Sequence, residues 1–451
     1  MILLDALAGI DEARSAILTP GGGRHNFADL VSSAGVLAPE MKGARIAVNC
    51  TNVLQAVLML AAADGSAEAI ALISPDHVPD VLAALMPAMN LDVVLSNHPD
   101  AVRAAGLSVT AIARPEELVG ANYNVRPSDY DSTRWIMTTS GTTGTPKLVE
   151  HTLASLTRTT RCDTQKGRGQ VWGLLYDHAR FAGLQVLLQS LLSGACIAVP
   201  DREANIEKQL AFLVEARCTH LSATPTMWRK ILMTMTGPAL DLQQITLGGE
   251  IVDDMILAAL ARAYPRARIS HIFASTEAGV GLSVSDGLAG FPADYLTNPP
   301  ADIGLKIEQG RLWVRNTEVG EVYLGGRGAL SSDGWVDTGD LVERREDRVY
   351  FKGRETGVIN VGGNKVHPEE VENAILAHPH VNMARVYSKA NPIMGALVIA
   401  DIVPGPAAPE TLKQDLTDFL RARLAKHMIP ASFRVTDGFE VNAAGKIRRD
   451  A

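Results

Sequence analysis

Thr138-Thr139-Ser140-Gly141-Thr142-Thr143-Gly144-Thr145-Pro146-Lys147 crowds hydroxyl side chains, two glycines and a lysine into ten consecutive residues. Glycine lets backbone N–H groups approach an anion closely, Ser and Thr hydroxyls donate further hydrogen bonds, and Lys147 adds a mobile positive charge. The composition suits a polyphosphate. It is not a Walker A loop, which needs Gly-Lys followed by Ser or Thr; here Pro146 precedes Lys147 and Leu148 follows it. Alone, the segment also reads as a polar loop between core elements, so the rest of the chain has to decide.

On the N-terminal side of this loop Arg45–Cys50, Ile70–Ile73 and Leu91–Leu95 read as buried strands, and on the other side so do Cys196–Val199 and Ile269–Phe273. Val53–Ala63, Val78–Met89, Leu184–Leu192 and Ile206–Ala216 read as helices between them. That alternation implies parallel α/β layers. From about Asp302 the chain turns Gly-rich and strand-like, in Gly310–Val314 and Gly320–Leu324, which predicts a small β subdomain. Near the end Pro368 opens a helix with Glu369 and Glu370 in its first turn, stopping before Pro379. Leu412, Leu416, Leu420 and Leu424 form a stripe expected to pack on a sheet. The fold class is α/β: a large domain of parallel α/β layers with a small β subdomain, residues 1–354, then a small α+β domain, residues 355–451.

Composition narrows the function. With 451 residues, 47% of them hydrophobic, the chain can bury more than one core. A net charge of −8, without basic runs, argues against a nucleic-acid or anionic-membrane binder. Cys50, Cys162, Cys196 and Cys218 lack C-x-x-C spacing, so neither a zinc site nor a disulfide framework is indicated and the cytoplasm fits. The opening Met1-Ile2-Leu3-Leu4 is broken by Asp5 and does not read as a signal peptide. No apolar run approaches the ~18 residues of a membrane span. Nothing in the composition speaks to oligomeric state.

Further motifs follow in order: Leu247-Gly248-Gly249-Glu250, Phe273-Ala274-Ser275-Thr276-Glu277-Ala278-Gly279, Gly334-Trp335-Val336-Asp337-Thr338-Gly339-Asp340, Tyr350-Phe351-Lys352-Gly353-Arg354, Gly362-Gly363-Asn364-Lys365 and Ala444-Gly445-Lys446-Ile447-Arg448. Together with the hydroxyl-rich loop this collinear series resembles the adenylate-forming superfamily of acyl-CoA synthetases, adenylation domains and luciferases. The resemblance implies ATP and Mg²⁺ as cofactors, a small-molecule carboxylic acid as substrate, and the thiol of CoA as acceptor, with an acyl carrier protein or an amine as alternatives. A non-catalytic nucleotide-binding regulator is the rival from another class.

The same resemblance assigns roles. Thr139, Ser140, Gly141, Thr142, Thr143, Gly144 and Lys147 would cradle the ATP phosphates; Thr276 would bond the α-phosphate and Glu277 would hold Mg²⁺. Adenine and ribose would meet Gly248, Gly249, Glu250, Phe273, Ala274, Asp340 and Arg354. Phe273 and Ala274 stand where the family usually has Tyr-Gly, so a stacking ring survives without its phenol. Thr356 falls at the expected hinge of a mobile C-terminal domain, and Gly362 and Gly363 would present a pantetheine arm. His178 and Arg180 are candidates for the acyl pocket: Arg180 would pair with the acid or point to solvent, and His178 would serve in its stead or be a plain loop residue. Met227 and Trp228 would line the pocket or belong to the core. Lys446 resembles the lysine that bridges carboxylate and α-phosphate. Lys446→Ala should slow adenylate formation by about 10²–10³, measured as pyrophosphate release; a folded variant that keeps the parent rate would remove Lys446 from the chemistry.

Overall fold

A computed structural model of the chain describes residues 2–75, 78–104, 112–113, 132–139, 147–234, 240–300, 303–316, 323–324, 334–391, 394–441 and 446–447. Ser140, Gly141, Thr142, Thr143 and Gly144 lie outside the described residues, as do the side chains of Thr139, Lys147 and Thr356. Four sheets organise what is described.

The first sheet has eight strands. Six of them, Arg268–Ser275, Gln244–Gly248, His220–Ala223, Val171–Leu174, Cys196–Ala198 and Ser15–Thr19, lie side by side and parallel, and an antiparallel strand closes each end. The second sheet sets Arg134–Thr139, Ala69–Leu72, Arg45–Asn49, Val93–Ser96 and Ile112–Ala113 parallel, with Lys147–His151 folded back antiparallel on Arg134–Thr139. Strands such as Ala69–Leu72 are buried at every residue, which is why they read as continuous apolar runs instead of alternating ones. One apolar cluster joins the two sheets, running from Leu3 and Phe27 through Leu60 and Trp135 to Leu184 and Leu188.

A five-stranded antiparallel sheet follows, ordered Phe291–Pro292, Arg348–Arg354, Trp335–Arg345, Arg311–Asn316 and Ile303–Glu308. The expected β subdomain is therefore present, with one correction. Tyr323–Leu324, the described part of the predicted piece Gly320–Leu324, pairs with Leu148 and Val149 of the second sheet. An apolar, Gly-led strand carries no mark of which sheet edge it will cover.

The last sheet comprises Asn364–Val366, Ile359–Val361, Gly395–Pro404, Val381–Asn391 and Ser432–Val435. Helix Pro368–Leu376 begins at the proline as its sequence implies. In helix Leu412–Arg421 the residues Leu412, Leu416 and Leu420 are buried, and Leu424, just past its end, packs on the same cluster. No helix among the described residues is long and apolar enough to cross a membrane.

Asp64 ties the amino terminus to the second sheet. It is 5% exposed, accepting the Leu3 amide at 2.7 Å and the Trp135 indole N–H at 2.9 Å. Asp64→Ala strands both donors in the core, and urea unfolding should show a loss of about 2–4 kcal/mol; an unchanged midpoint would mean that the two donors find other acceptors.

Candidate active site

Four parallel strands of the first sheet end on one edge, where open α/β sheets bind ligands. The strand order also turns back there: after Val171–Leu174 the chain adds Cys196–Ala198 on one side and His220–Ala223 on the other. The segments leaving these carboxyl ends carry Tyr176 to Arg180, Thr224, Gly249-Glu250 and Thr276-Glu277.

Backbone constraints shape each segment. Asp177 is buried; its carboxylate accepts from the Ala179 amide at 3.0 Å and from the Ser74 hydroxyl at 2.5 Å. Gly183 lies so close that a Cβ there would meet the Asp177 carbonyl oxygen at 2.1 Å. The turn so held places Arg180 at the N-cap of helix Phe181–Leu192, 17% exposed and 3.8 Å from Asp177, with its Nε buried and without a hydrogen-bond partner. The solvent-facing reading of Arg180 therefore fails. His178 goes elsewhere: it is buried, its ring bonds the backbone of Cys50, and burial lowers its pKa. Trp228 is core, fully buried with its indole N–H donated to the Thr246 carbonyl at 3.1 Å, and Met227 packs half-buried on the same cluster.

Gly249 has φ +82°, a conformation that favours glycine, and a Cβ on it would lie 3.5 Å from Lys446 Cε. Glu250 accepts the Thr226 amide at 3.0 Å, at the start of helix Pro225–Thr234. The Tyr176 hydroxyl donates to the Gly248 carbonyl at 3.4 Å, and burial raises the phenol's pKa. Thr276 and Glu277 sit in a three-residue hairpin loop in which Ser275 Oγ accepts the Ala278 amide at 3.0 Å and Gly279 has φ +68°. His151, at the end of strand Lys147–His151, fixes the same loop by donating from Nε2 to the Thr276 carbonyl at 2.8 Å. Burial pushes the His151 pKa down to about 4, so the ring is neutral and the bond persists across ordinary pH. Neither His151 nor the Tyr176 hydroxyl was singled out by sequence. A polar residue ending a strand gives no local signal of a partner 125 positions away.

Asp340 and Arg354 stand directly opposite on neighbouring strands, and Arg354 Nε donates to Asp340 Oδ1 at 3.1 Å. Asp340 Oδ2 is buried without a partner. Burial raises the Asp340 pKa. Phe273 stacks on Phe351, ring centroids 5.0 Å apart, so one face of the ring is taken by protein. Ala274, on the opposite side of the strand, packs on the first apolar cluster.

Lys446 arrives from the far end of the chain on a turn closed by the Val441–Ile447 bridge. Protein crowds its ammonium, and this desolvation lowers its pKa; Glu250 and Asp340 oppose the shift while Arg354 and Arg180 add to it. The residue keeps an exposed surface, and that open side tempers the shift. Lys446 thus lies against Gly249, with Glu250, Asp340, Arg354 and Arg180 near enough to act on its charge. Gly362 and Gly363, with φ +57° and +89°, form the two-residue turn of a hairpin; the Gly362 amide bonds the Met394 carbonyl, just before strand Gly395–Pro404, and the Gly363 amide the Asn360 side chain.

Comparison with known proteins agrees with this architecture. Residues 27–332 match the AMP-binding enzyme family and residues 370–446 the AMP-binding enzyme C-terminal domain; the chain belongs to the AMP-binding enzymes. Among its relatives is the 2-succinylbenzoate–CoA ligase of Staphylococcus aureus strain Newman, 24% identical with 96% of each chain covered. Similar solved structures include the o-succinylbenzoate CoA synthetase of Bacillus subtilis in complex with its acyl-adenylate intermediate, at TM-score 0.74 and 21% identity over 99% of this chain and 96% of that one. ATP-bound MatB from Rhodopseudomonas palustris superposes at TM-score 0.77 with 20% identity, over 99% and 96%.

The lowered Lys446 pKa sets a pH profile. A step that uses the protonated ammonium should lose kcat/KM for ATP as pH rises through a value below the ordinary 10.5. Lys446→Arg, charged throughout, should lose this alkaline limb at reduced rate. ATP–pyrophosphate exchange against pH is the measurement, and a limb that persists in the arginine variant belongs to another group.

Proposed function

We propose that this chain is an AMP-forming acid–thiol ligase that joins a carboxylic acid to AMP and then passes the acyl group to CoA. The single observation that carries the reading is Lys446, brought from the end of the chain against Gly249 beside Glu250 and Asp340. A nucleotide-binding scaffold has no use for such a lysine.

A carboxylate oxygen attacks the α-phosphorus, the bond to pyrophosphate breaks, and negative charge spreads over the transferring group. Lys446 stabilises that charge between carboxylate and α-phosphate, while Thr276 donates its hydroxyl to the phosphate. Asp340 fits the ribose: one oxygen is fixed by Arg354 and the other, buried and unpartnered, is free to accept from a diol hydroxyl. Gly248, Gly249, Ala274 and the second face of Phe273 remain for adenine. One carboxylate at the hairpin tip, Glu277, suits Mg²⁺, which is held by one or two carboxylates plus substrate phosphates and would neutralise charge on the departing pyrophosphate. Among the described residues no cluster of three or more metal-binding side chains competes with that choice. Thr139, Ser140, Gly141, Thr142, Thr143, Gly144 and Lys147 hold the β- and γ-phosphates in this reading. The register supports it: Thr139 pairs with Lys147 on adjacent antiparallel strands, so the two ends of the segment stand side by side.

In the second step the thiol sulfur attacks the acyl carbon, AMP leaves with the bonding electrons, and the thiol proton passes to solvent. Gly362 and Gly363 are assigned to the pantetheine arm. We place the domain boundary at residues 354 and 355, just before the turn Glu355–Gly357, with Thr356 as hinge. Arg180, with an unpaired Nε in the cleft, supports an acid bearing a second polar or anionic group. His178, whose ring bonds the Cys50 backbone, is left a supporting role behind that pocket. Free thiols, three of them buried, support a reducing cytoplasm.

Pyrophosphate release from ATP should be followed over short-chain, medium-chain, aromatic, hydroxylated and dicarboxylic acids, 2-succinylbenzoate included, with and without CoA. Release that depends on Lys446 and rises with CoA is expected. Release indifferent to CoA would redirect the second step to a carrier protein or amine, and silence across the panel would overturn the ligase reading.

A further inference from the structure

Lys230 lies on helix Pro225–Thr234 of the large domain, half-buried, and donates from Nζ to the main-chain carbonyl of Phe439 at 2.5 Å. That bond spans 209 residues of sequence. The charge of the adjoining Glu440 also favours the ammonium there. What the carbonyl offers is position, because Phe439 is the root of the turn that carries Lys446.

Phe439 is held from two sides. Its ring is buried in a small cluster with Met383 and Val403, on which Ile447 also packs, and the Arg385 guanidinium lies over it 5.5 Å from the ring centroid. Met383, Arg385 and Val403 lie on strands of the C-terminal sheet. The carbonyl on the same residue is bonded by the large domain. Two residues later Val441 begins the turn, and Ile447 closes it by bridging back to Val441. Lys446 is therefore one residue from the closure of a turn whose root Lys230 grips.

The helix that bears Lys230 is itself part of the cleft. Glu250 caps it through the Thr226 amide, Thr224 precedes it beside Gly249, and Arg229 pairs with Asp253 at 2.6 Å. The helix thus has one end on the surface that receives the Lys446 ammonium and, about a turn further along, the donor that fixes where the Lys446 turn starts. Both ends of the lysine's reach are measured from one rigid element.

We propose that Lys230 is a positioning residue for adenylation, a latch that holds the Phe439 root and so sets the Lys446 ammonium in the cleft. It touches neither substrate nor reacting atoms. Its chemical consequence rests on the ligase reading above: the step that uses Lys446 needs the latch, and displacement of AMP by a thiol, which does not use Lys446, is indifferent to it.

The test separates geometry from chemistry. For geometry, one nitroxide is placed on the exposed Cys162 and another on an introduced cysteine at exposed Glu410, and the distance between them is measured with ATP and Mg²⁺ present. The parent should give one dominant distance. Lys230→Met, which keeps the aliphatic stem, should broaden or split it, and Lys230→Arg, which keeps a donor, should restore it. For chemistry, ATP–pyrophosphate exchange should fall about 10–100-fold in Lys230→Met, the scale of a lost charged hydrogen bond. Thioester formation from separately supplied acyl-adenylate should stay at the parent rate. An unchanged distance distribution, or equal loss in both half-reactions, overturns the latch. If the parent itself shows no exchange with any acid, the ligase reading falls while the distance measurement still decides the geometry.

Discussion

An ammonium group crowded by protein is stabilised by carboxylates, and the cleft of this protein is arranged around that requirement. Lys446 is crowded by protein, and Glu250 and Asp340 compensate it only in part, because Arg354 and Arg180 act in the opposite sense. Three cations and two carboxylates act on one another there, an excess of positive charge that suits an anion. Asp340 adds a second invitation, because its Oδ2 is buried with nothing to accept from. A buried carboxylate oxygen without a donor is costly, and a fold that tolerates it keeps the site receptive to a ligand that supplies one.

The remaining architecture serves to bring those charges from distant parts of the chain. Parallel strands deliver Glu250 and Glu277 to one sheet edge, an antiparallel hairpin sets Asp340 opposite Arg354, and the C-terminal unit supplies the lysine. Glycines act where backbones must come closest. Gly183 lets a helix start against the Asp177 carbonyl, and Gly249 adopts a left-handed conformation beneath the Lys446 side chain. A side chain at Gly183 would collide with the Asp177 carbonyl, and one at Gly249 would strain the left-handed backbone.

Much of this was legible in the sequence because it is local. The boundaries of helix Val53–Ala63, the proline-led start of helix Pro368–Leu376 and the leucine stripe on helix Leu412–Arg421 follow from periodicity and capping within a few residues. The motif residues were recognisable because each sits in a short, compositionally unusual string. What escaped was non-local. His151 supports Thr276 from another sheet, Tyr176 braces the Gly248 carbonyl, Lys230 reaches Phe439, and Tyr323–Leu324 crosses to a sheet that its own composition does not name. Arg180 was visible as an oddity, but its direction was not, since that depends on Asp177, Ser74 and Gly183 meeting behind it.

This division has a consequence for how the site discriminates. Residues that meet ATP in the proposed reaction lie in compact strings, where one loop or hairpin carries the whole contact, as Ser275 and Gly279 do for Thr276 and Glu277. The surface proposed for the acid is of a different kind, assembled from Arg180 on a helix cap and from the sheet edge between Val171–Leu174 and His220–Ala223. Changing the acid therefore requires altering side chains at the strand-order reversal while leaving the nucleotide strings intact. Arg180 stands at that reversal, fixed on the helix cap by the Asp177 turn and with its Nε unpaired. In the proposed reaction one cation is therefore the point at which an anionic group on the acid is recognised, and it can change without touching the strings that meet the nucleotide.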